Sequence, residues 1–351
     1  MDLETFWFCL IAVFWAGYFL LEGFDFGVGM LLPFVPRDDA ERGTLLRTIG
    51  PVWDGNEVWL IVAGGATFAA FPAWYATMFS GFYLALLLVL VFLIVRVISF
   101  EWRGKGHSPR WRAVWTTANV VGSVGASFLW GVALSNLVHG VPLDSDGGWA
   151  GAFVDLFSVY TVFGGIAVVL LFAFHGATFL TIRTTGGLCV RAAEAARRLS
   201  LPAAVAGAAF LVWTVAVAVD RNDKNVFPPV VPCALGIAAI LLALVFVHRR
   251  RSGLAFAATA FAAVLLVATL FTSLYPRVLV SSPDFGNSLT VDNASSSHYA
   301  LAVMTVVALI LTPLVLLYQG WTYYVFRERL GGEDPEPPEP AEILPEPAES
   351  A

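Results

Sequence analysis

Apolar residues run through the chain in nine long blocks, each separated from the next by a short polar or basic stretch. A helix needs about 20 apolar residues to cross the hydrocarbon core of a bilayer. The blocks at 6–32, 51–71, 78–100, 115–138, 153–182, 201–219, 230–247, 254–275 and 298–326 meet that length and predict nine membrane-spanning helices. On the side expected to face outward two connections are long, 140–152 and 276–297, and neither is the size of a soluble domain. The division that follows is a first four-helix bundle over 1–150, a second with its outer loop over 151–297, a peripheral ninth helix over 298–330 and a disordered tail over 331–351. The tail is rich in Pro, Glu and Ala, a composition that cannot bury a core.

Basic residues orient these helices, because Lys and Arg collect in cytoplasmic loops. Arg37, Arg42 and Arg47 follow the first block, Arg103, Lys105, Arg110 and Arg112 the third, Arg191, Arg197 and Arg198 the fifth, and Arg249, Arg250 and Arg251 the seventh. The alternate loops hold only Arg221, Lys224 and Arg277. The N-terminus is therefore expected outside and the C-terminus in the cytoplasm, which requires an odd number of spans.

Composition agrees: 58% of residues are hydrophobic and 13% charged, with a mean hydropathy of +0.76, far from a soluble domain. The net charge of −6 reflects the acidic tail and implies nothing about nucleic acid. Cys9, Cys189 and Cys233 form no metal or disulfide pattern and read as buried, inert thiols. The first block has no basic leader and is too long for a signal-peptide core, so it reads as a retained helix. Trp7, Trp53, Trp74, Trp102, Trp111, Trp115, Trp149 and Trp321 lie near block ends, as in an aromatic belt.

Charged groups inside a membrane are costly and mark function. Glu22 and Asp25 lie three residues apart in the first block and share a helix face. Asp54 and Glu57 repeat that spacing at the start of the second, around Asn56, and the third brings Arg96 and Glu101 to the same end. Five acids, an asparagine and an arginine thus converge on the cytoplasmic half of the first three helices. Carboxylates at depth favour the neutral form unless a cation or donor is near, which suits them to carry protons; an ion pair that fixes helix packing is the competing role. Gly23, Gly27, Gly29, Gly64 and Gly65 read as a small-residue packing seam. Axial haem ligation needs ligands meeting at one depth. Among the five histidines only His175 lies well inside a block, so this chain is expected to bind no haem. His175 is either a hydrogen-bonded packing residue or a proton or quinone contact.

The stretches Gly23-Phe24-Asp25-Phe26-Gly27-Val28-Gly29-Met30 and Trp53-Asp54-Gly55-Asn56-Glu57-Val58-Trp59-Leu60 resemble subunit II of the cytochrome bd quinol oxidases. The resemblance continues through Ser80-Gly81-Phe82-Tyr83, Gly176-Ala177-Thr178-Phe179-Leu180, Tyr275-Pro276, Asn287-Ser288-Leu289-Thr290 and Leu316-Leu317-Tyr318. It implies an all-α polytopic membrane protein of two four-helix bundles plus one peripheral helix. The partner would be a larger subunit carrying two haems b and one haem d, and small accessory subunits and membrane lipid are further partners of such complexes. The complex would oxidise quinol, reduce dioxygen to water and draw protons from the cytoplasm without pumping.

By motif, the resemblance places Asp54 at the inner end of a proton route and Glu101 near its entrance. Asp25 and Glu22 match an acidic pair on the first helix, and Trp59 a tryptophan at the mouth of an apolar dioxygen channel. The family accepts Gln in place of Glu57, and some members hold a quinone in this subunit as a structural cofactor. A proton-coupled secondary transporter is the rival reading, since intramembrane acids beside glycine-rich helices also describe that class.

Overall fold

The computed structural model describes residues 2–106, 108–222 and 227–331. The tail over 332–351, His107 and Lys224 lie outside the described residues. The described residues form eleven helices: α1 (Leu3–Leu31), α2 (Asp39–Ile49), α3 (Trp53–Ala70), α4 (Pro72–Gly81), α5 (Tyr83–Trp102), α6 (Pro109–His139), α7 (Val159–Arg183), α8 (Gly186–Asn222), α9 (Phe227–His248), α10 (Ser252–Leu274) and α11 (His298–Val325). Two short strands, β1 (Arg277–Leu279) and β2 (Leu289–Thr290), pair antiparallel between α10 and α11.

Among the described residues, eight helices are long and apolar enough to cross a membrane: α1 and α5 to α11. The remaining expected span, α3, is 18 residues long but opens on the polar run Asp54-Gly55-Asn56-Glu57 and falls short on composition. The chain is thus an all-α polytopic membrane protein of about nine spans. Four boundaries differ by six residues or more from the sequence expectation, one of them the start of the fourth span, α6, at Pro109 where the apolar block begins at 115. The third span starts at Pro72, because hydrogen bonds from Phe82 N–H to the Met78 carbonyl and from Leu86 N–H to the Phe82 carbonyl (both 2.8 Å) carry α4 into α5 through a bend at Phe82. The fifth helix begins only at Val159, since 153–156 is a 3-10 turn. The sixth, α8, runs for 37 residues, about 55 Å at 1.5 Å per residue. That exceeds the ~30 Å hydrocarbon core, so its Arg-bearing first turns project beyond the apolar layer.

Loops grouped by charge lie together in space. On the basic face Asp39 pairs with Arg103 and, at 2.7 Å, with Arg112, while Glu41 pairs with Arg191 at 2.5 Å. The end of α11 is tied there by Leu330 N–H to the Arg183 carbonyl at 2.8 Å. On the opposite face Val141 exchanges bonds of 2.9 Å with Val280 and Ser282. There Thr77 donates to the Gly147 carbonyl at 2.9 Å, and Ser296 donates to the carbonyls of Ala69 and Ala70.

Helix α1 is the hub. At its crossing with α7 a Cβ on Gly27 would stand 2.0 Å from the Phe172 carbonyl oxygen, and one on Gly176 would stand 2.4 Å from the Gly27 carbonyl carbon. Only glycine permits backbones that close. Gly64 and Gly65 do not join this seam, contrary to expectation: nothing stands within 4 Å of a Cβ at either. The tryptophans also divide. Trp7 and Trp74 are buried core residues and not belt residues, whereas Trp102, Trp111 and Trp115 cluster at the basic face. Of the thiols, Cys233 is buried, Cys189 half-buried and Cys9 exposed, so the expectation of three buried thiols holds for one. Helix α11 lies outside the bundles, with Leu301 its one buried residue.

Candidate functional site

The site grows from the half of α1 nearer the basic face. Glu22 and Asp25 are fully buried, and α1 can present them there because its glycines let α7 close behind it. Helix α5 answers with Arg96, equally buried, whose Nη1 pairs with the Glu22 carboxylate. The guanidinium also lies over the Phe26 ring at 4.6 Å and the Phe100 ring at 5.2 Å, a cation–π setting. Gly122 of α6 makes room, since a Cβ there would stand 2.9 Å from that of Arg96.

Helix α3 supplies Asn56, fully buried, whose amide donates to Asp25 Oδ2 at 2.7 Å. Its carbonyl oxygen accepts from Tyr323 Oη at 2.6 Å and from Gln319 Nε2 at 3.1 Å. Gln319 in turn accepts from Trp59 Nε1 at 2.7 Å. Two residues of the peripheral α11 are thereby bound into the cluster. Glu57 is half-buried, with its Oε2 out of contact with solvent. Buried atoms with no protein partner among the described residues concentrate here: Tyr18 Oη, Glu22 Oε2, Asp25 Oδ1, Glu57 Oε2, and Nε and Nη2 of Arg96. Buried polar atoms are nearly always partnered by protein or water, so this cluster has capacity left for water or a shared proton.

A polar seam leads from the cluster to the basic face between α5 and α6. Ser99 donates to the Arg96 carbonyl and accepts from Asn119 Nδ2 at 2.7 Å; lower down Arg103 Nε donates to Thr116 Oγ1 at 2.9 Å and pairs with Asp39. It ends in a cavity of about 590 Å³ lined by Asp39, Arg42, Arg103 and Arg112.

Glu22, Asp25, Asn56 and Arg96 are thus brought together, with Glu57 at the edge. Asp54 and Glu101 are not: both are exposed on this chain. Asp54 continues a stripe of exposed α3 residues through Val58, Ile61 and Phe68. Trp59 packs on Gly17 and does not line the apolar groove of about 560 Å³ beside it, which Leu60, Gly64, Gly65 and Trp74 border with α4 to α6. His175 sits elsewhere, buried between α1, α7 and α10. Its Nε2 bonds the Leu20 carbonyl at 3.0 Å, its Nδ1 bonds Thr259 Oγ1 at 2.8 Å, and its ring stacks on Phe256. Both ring nitrogens are thus engaged by protein groups. Gln319, Tyr323 and the Ser99–Asn119 seam escaped the sequence reading. A glutamine inside an apolar span was the available signal for the first.

The model of the cytochrome bd terminal oxidase subunit II family matches residues 3–326. The chain belongs to that family. It is 42% identical over 334 residues to cytochrome bd ubiquinol oxidase subunit 2 of Bacillus subtilis, covering 95% of this chain and 98% of the relative. Cytochrome bd-I ubiquinol oxidase subunit 2 of Escherichia coli K12 is 34% identical over 366 residues, covering 95% and 96%. The fold matches a chain in the structure of the bd oxidase from Geobacillus thermodenitrificans, with a TM-score of 0.72 at 19% identity over 93% of this chain and 97% of that one. As a bd oxidase subunit II, the chain is a multi-pass membrane subunit of a terminal oxidase, and the transporter reading is not favoured.

Proposed function

We propose that this subunit pairs with a larger, haem-bearing subunit in a quinol:dioxygen oxidoreductase and helps supply cytoplasmic protons to it. The haems b and d belong to that partner, which oxidises quinol and reduces dioxygen; this chain holds and feeds the reaction. The buried Glu22–Arg96–Asp25–Asn56 cluster carries the reading. It unites acids, a cation and donors with unfilled hydrogen-bonding capacity, and the α5–α6 seam runs from it towards the basic face. We read that face as cytoplasmic, from its arginines.

Asp54 has a distinct part. A short carboxylate cannot snorkel far from lipid, so its exposure beside Val58 and Ile61 supports a partner covering this stripe. Asp54 then hands protons across the interface, with Glu101 gathering them at the end of α5. The apolar groove that Leu60 and Gly64 border, beside Trp59, offers dioxygen an approach without polar groups.

The test uses the complex purified through this chain and reconstituted in proteoliposomes. Asp54→Asn is expected to leave the visible haem spectrum unchanged and to slow quinol-driven oxygen uptake about tenfold or more, as loss of a proton-transfer group does. A variant that turns over and builds its gradient at the normal rate removes Asp54 from the route. A purified chain with neither haem-bearing partner nor oxygen uptake overturns the whole reading.

A further inference from the structure

A second charged cavity, of about 630 Å³, opens on the basic face where α7 and α9 end and α8 and α10 begin. Its charged lining is Arg191, Arg197, Arg250, Arg251 and Arg329 against a single acid, Glu194. Glu194 is held by Arg198 at 2.9 Å, Arg191 by Glu41 and the Val35 carbonyl, and Arg329 by the carbonyls of Thr181 and Thr184. Among the described residues no acid pairs with Arg197, Arg250 or Arg251.

The backbone adds to this excess of positive charge. Helices α8 and α10 both start at the cavity, so the positive ends of two macrodipoles meet there, where acids are ordinarily favoured. Neither first turn contains an acid, and the residue preceding α10, Arg251, makes no side-chain cap. Arg250 occupies the left-handed region (φ 55°) and closes α9 with bonds from its own N–H to Val247 and from the Arg251 N–H to Phe246. Glycine or asparagine is the ordinary residue at such a C-terminal turn; this chain places a cation there.

We infer that this cavity binds the phosphate of an anionic phospholipid headgroup, gripped by Arg250 and Arg251 beside the N-terminus of α10 and by Arg197, about three turns into α8. Helix N-termini and arginine forks both suit phosphate oxygens. The cavity lies at the ends of membrane-spanning helices, and its apolar wall, which includes Val247 and Ala255, suits the beginning of acyl chains. Basic pockets between spans at this depth take such headgroups.

Phosphatidylglycerol titrated into the detergent-purified complex, followed by native mass spectrometry, tests the site. The triple variant Arg197→Gln, Arg250→Gln, Arg251→Gln is expected to bind it about tenfold more weakly than the parent. Phosphatidylcholine should not distinguish the two, and oxygen uptake should be unchanged. Arg250→Gly, which relaxes the backbone while removing one charge, is expected to weaken phosphatidylglycerol binding several-fold without loss of thermal stability. Equal phosphatidylglycerol binding by parent and both variants overturns the inference. So does inorganic phosphate binding to the parent alone when the lipid shows no preference, which would make a soluble anion the ligand. Lipid binding that emerges only after deletion of residues 332–351 overturns it as well, assigning the cavity to the seven acids of that segment.

Discussion

Two pairs of acids share one spacing and meet opposite fates. Glu22 and Asp25 on α1, like Asp54 and Glu57 on α3, stand three residues apart on one helix face. The first pair is wholly buried and meets Arg96 and Asn56; the second leaves Asp54 exposed and Glu57 half-buried. Spacing fixes which residues look the same way, and the neighbouring helices decide whether that direction is inward. Around α1 the glycines at 23, 27 and 29 admit α6 and α7 to near contact, whereas Gly64 and Gly65 of α3 face open space. One pair therefore organises this subunit, and the other is left for whatever covers α3.

The strongest way to break this contrast is to remove the cation. Arg96→Leu leaves two carboxylates buried without a counter-charge, and loss of one member of a buried pair costs about 3–5 kcal/mol. The thermal midpoint of the purified complex should fall by several degrees or the complex should fail to assemble. Adding Glu22→Gln and Asp25→Asn to the same variant should restore much of the loss. A single Arg96→Leu variant as stable as the parent would mean that the carboxylates do not depend on Arg96.

Much of this arrangement was legible beforehand, for physical reasons. Charged residues are so costly in apolar spans that Glu22, Asp25 and Arg96 stood out, and the alternating arginine loops grouped the helix ends onto two faces that the structure brings together. Hydropathy hid other features. Helix α3 carries too many polar residues at its start to register as a span by composition, and α8 hides its long extension because amphipathic Arg-bearing turns look like a loop beside an apolar block. Tyr323 and Gln319 were invisible as partners of Asn56, since 263 residues separate Gln319 from Asn56 and no local pattern encodes a contact across that distance. The belt reading of Trp7 failed likewise: its position near a helix end is real, yet α11 covers it through bonds to Leu301 and Thr305.

A smaller loss sharpens the comparison. Asn56 lies between Asp54 and Glu57 in sequence but points at Asp25, so it belongs energetically to the α1 pair. Asn56→Ala removes a donor to Asp25 and an acceptor for Tyr323 and Gln319, leaving buried groups unpaired at a cost of about 1–3 kcal/mol. Asp54→Asn, two residues away on the exposed face, should leave the thermal midpoint of the complex unchanged. Should the two substitutions destabilise equally, the division between an inward and an outward face of α3 would not describe the molecule.

The smallest effect concerns α11, which touches the body mainly at its two ends. Near its start Trp7 donates to Thr305 at 3.0 Å, and near its finish Tyr323 donates to Asn56 at 2.6 Å. Tyr323→Phe keeps the ring against Phe24 and deletes that one hydrogen bond, a loss of about 0.5–1.5 kcal/mol. Global stability should barely register it, because the body remains packed around α1. Hydrogen exchange should instead rise in the last turns of α11 and leave the turns around Thr305 protected, since helix ends open locally with low free energy. Faster exchange along the whole of α11 would show that Asn56 anchors the entire helix. No change at all would assign the attachment to Gln319 and the Arg329 contacts, making the link between α11 and the acid cluster incidental.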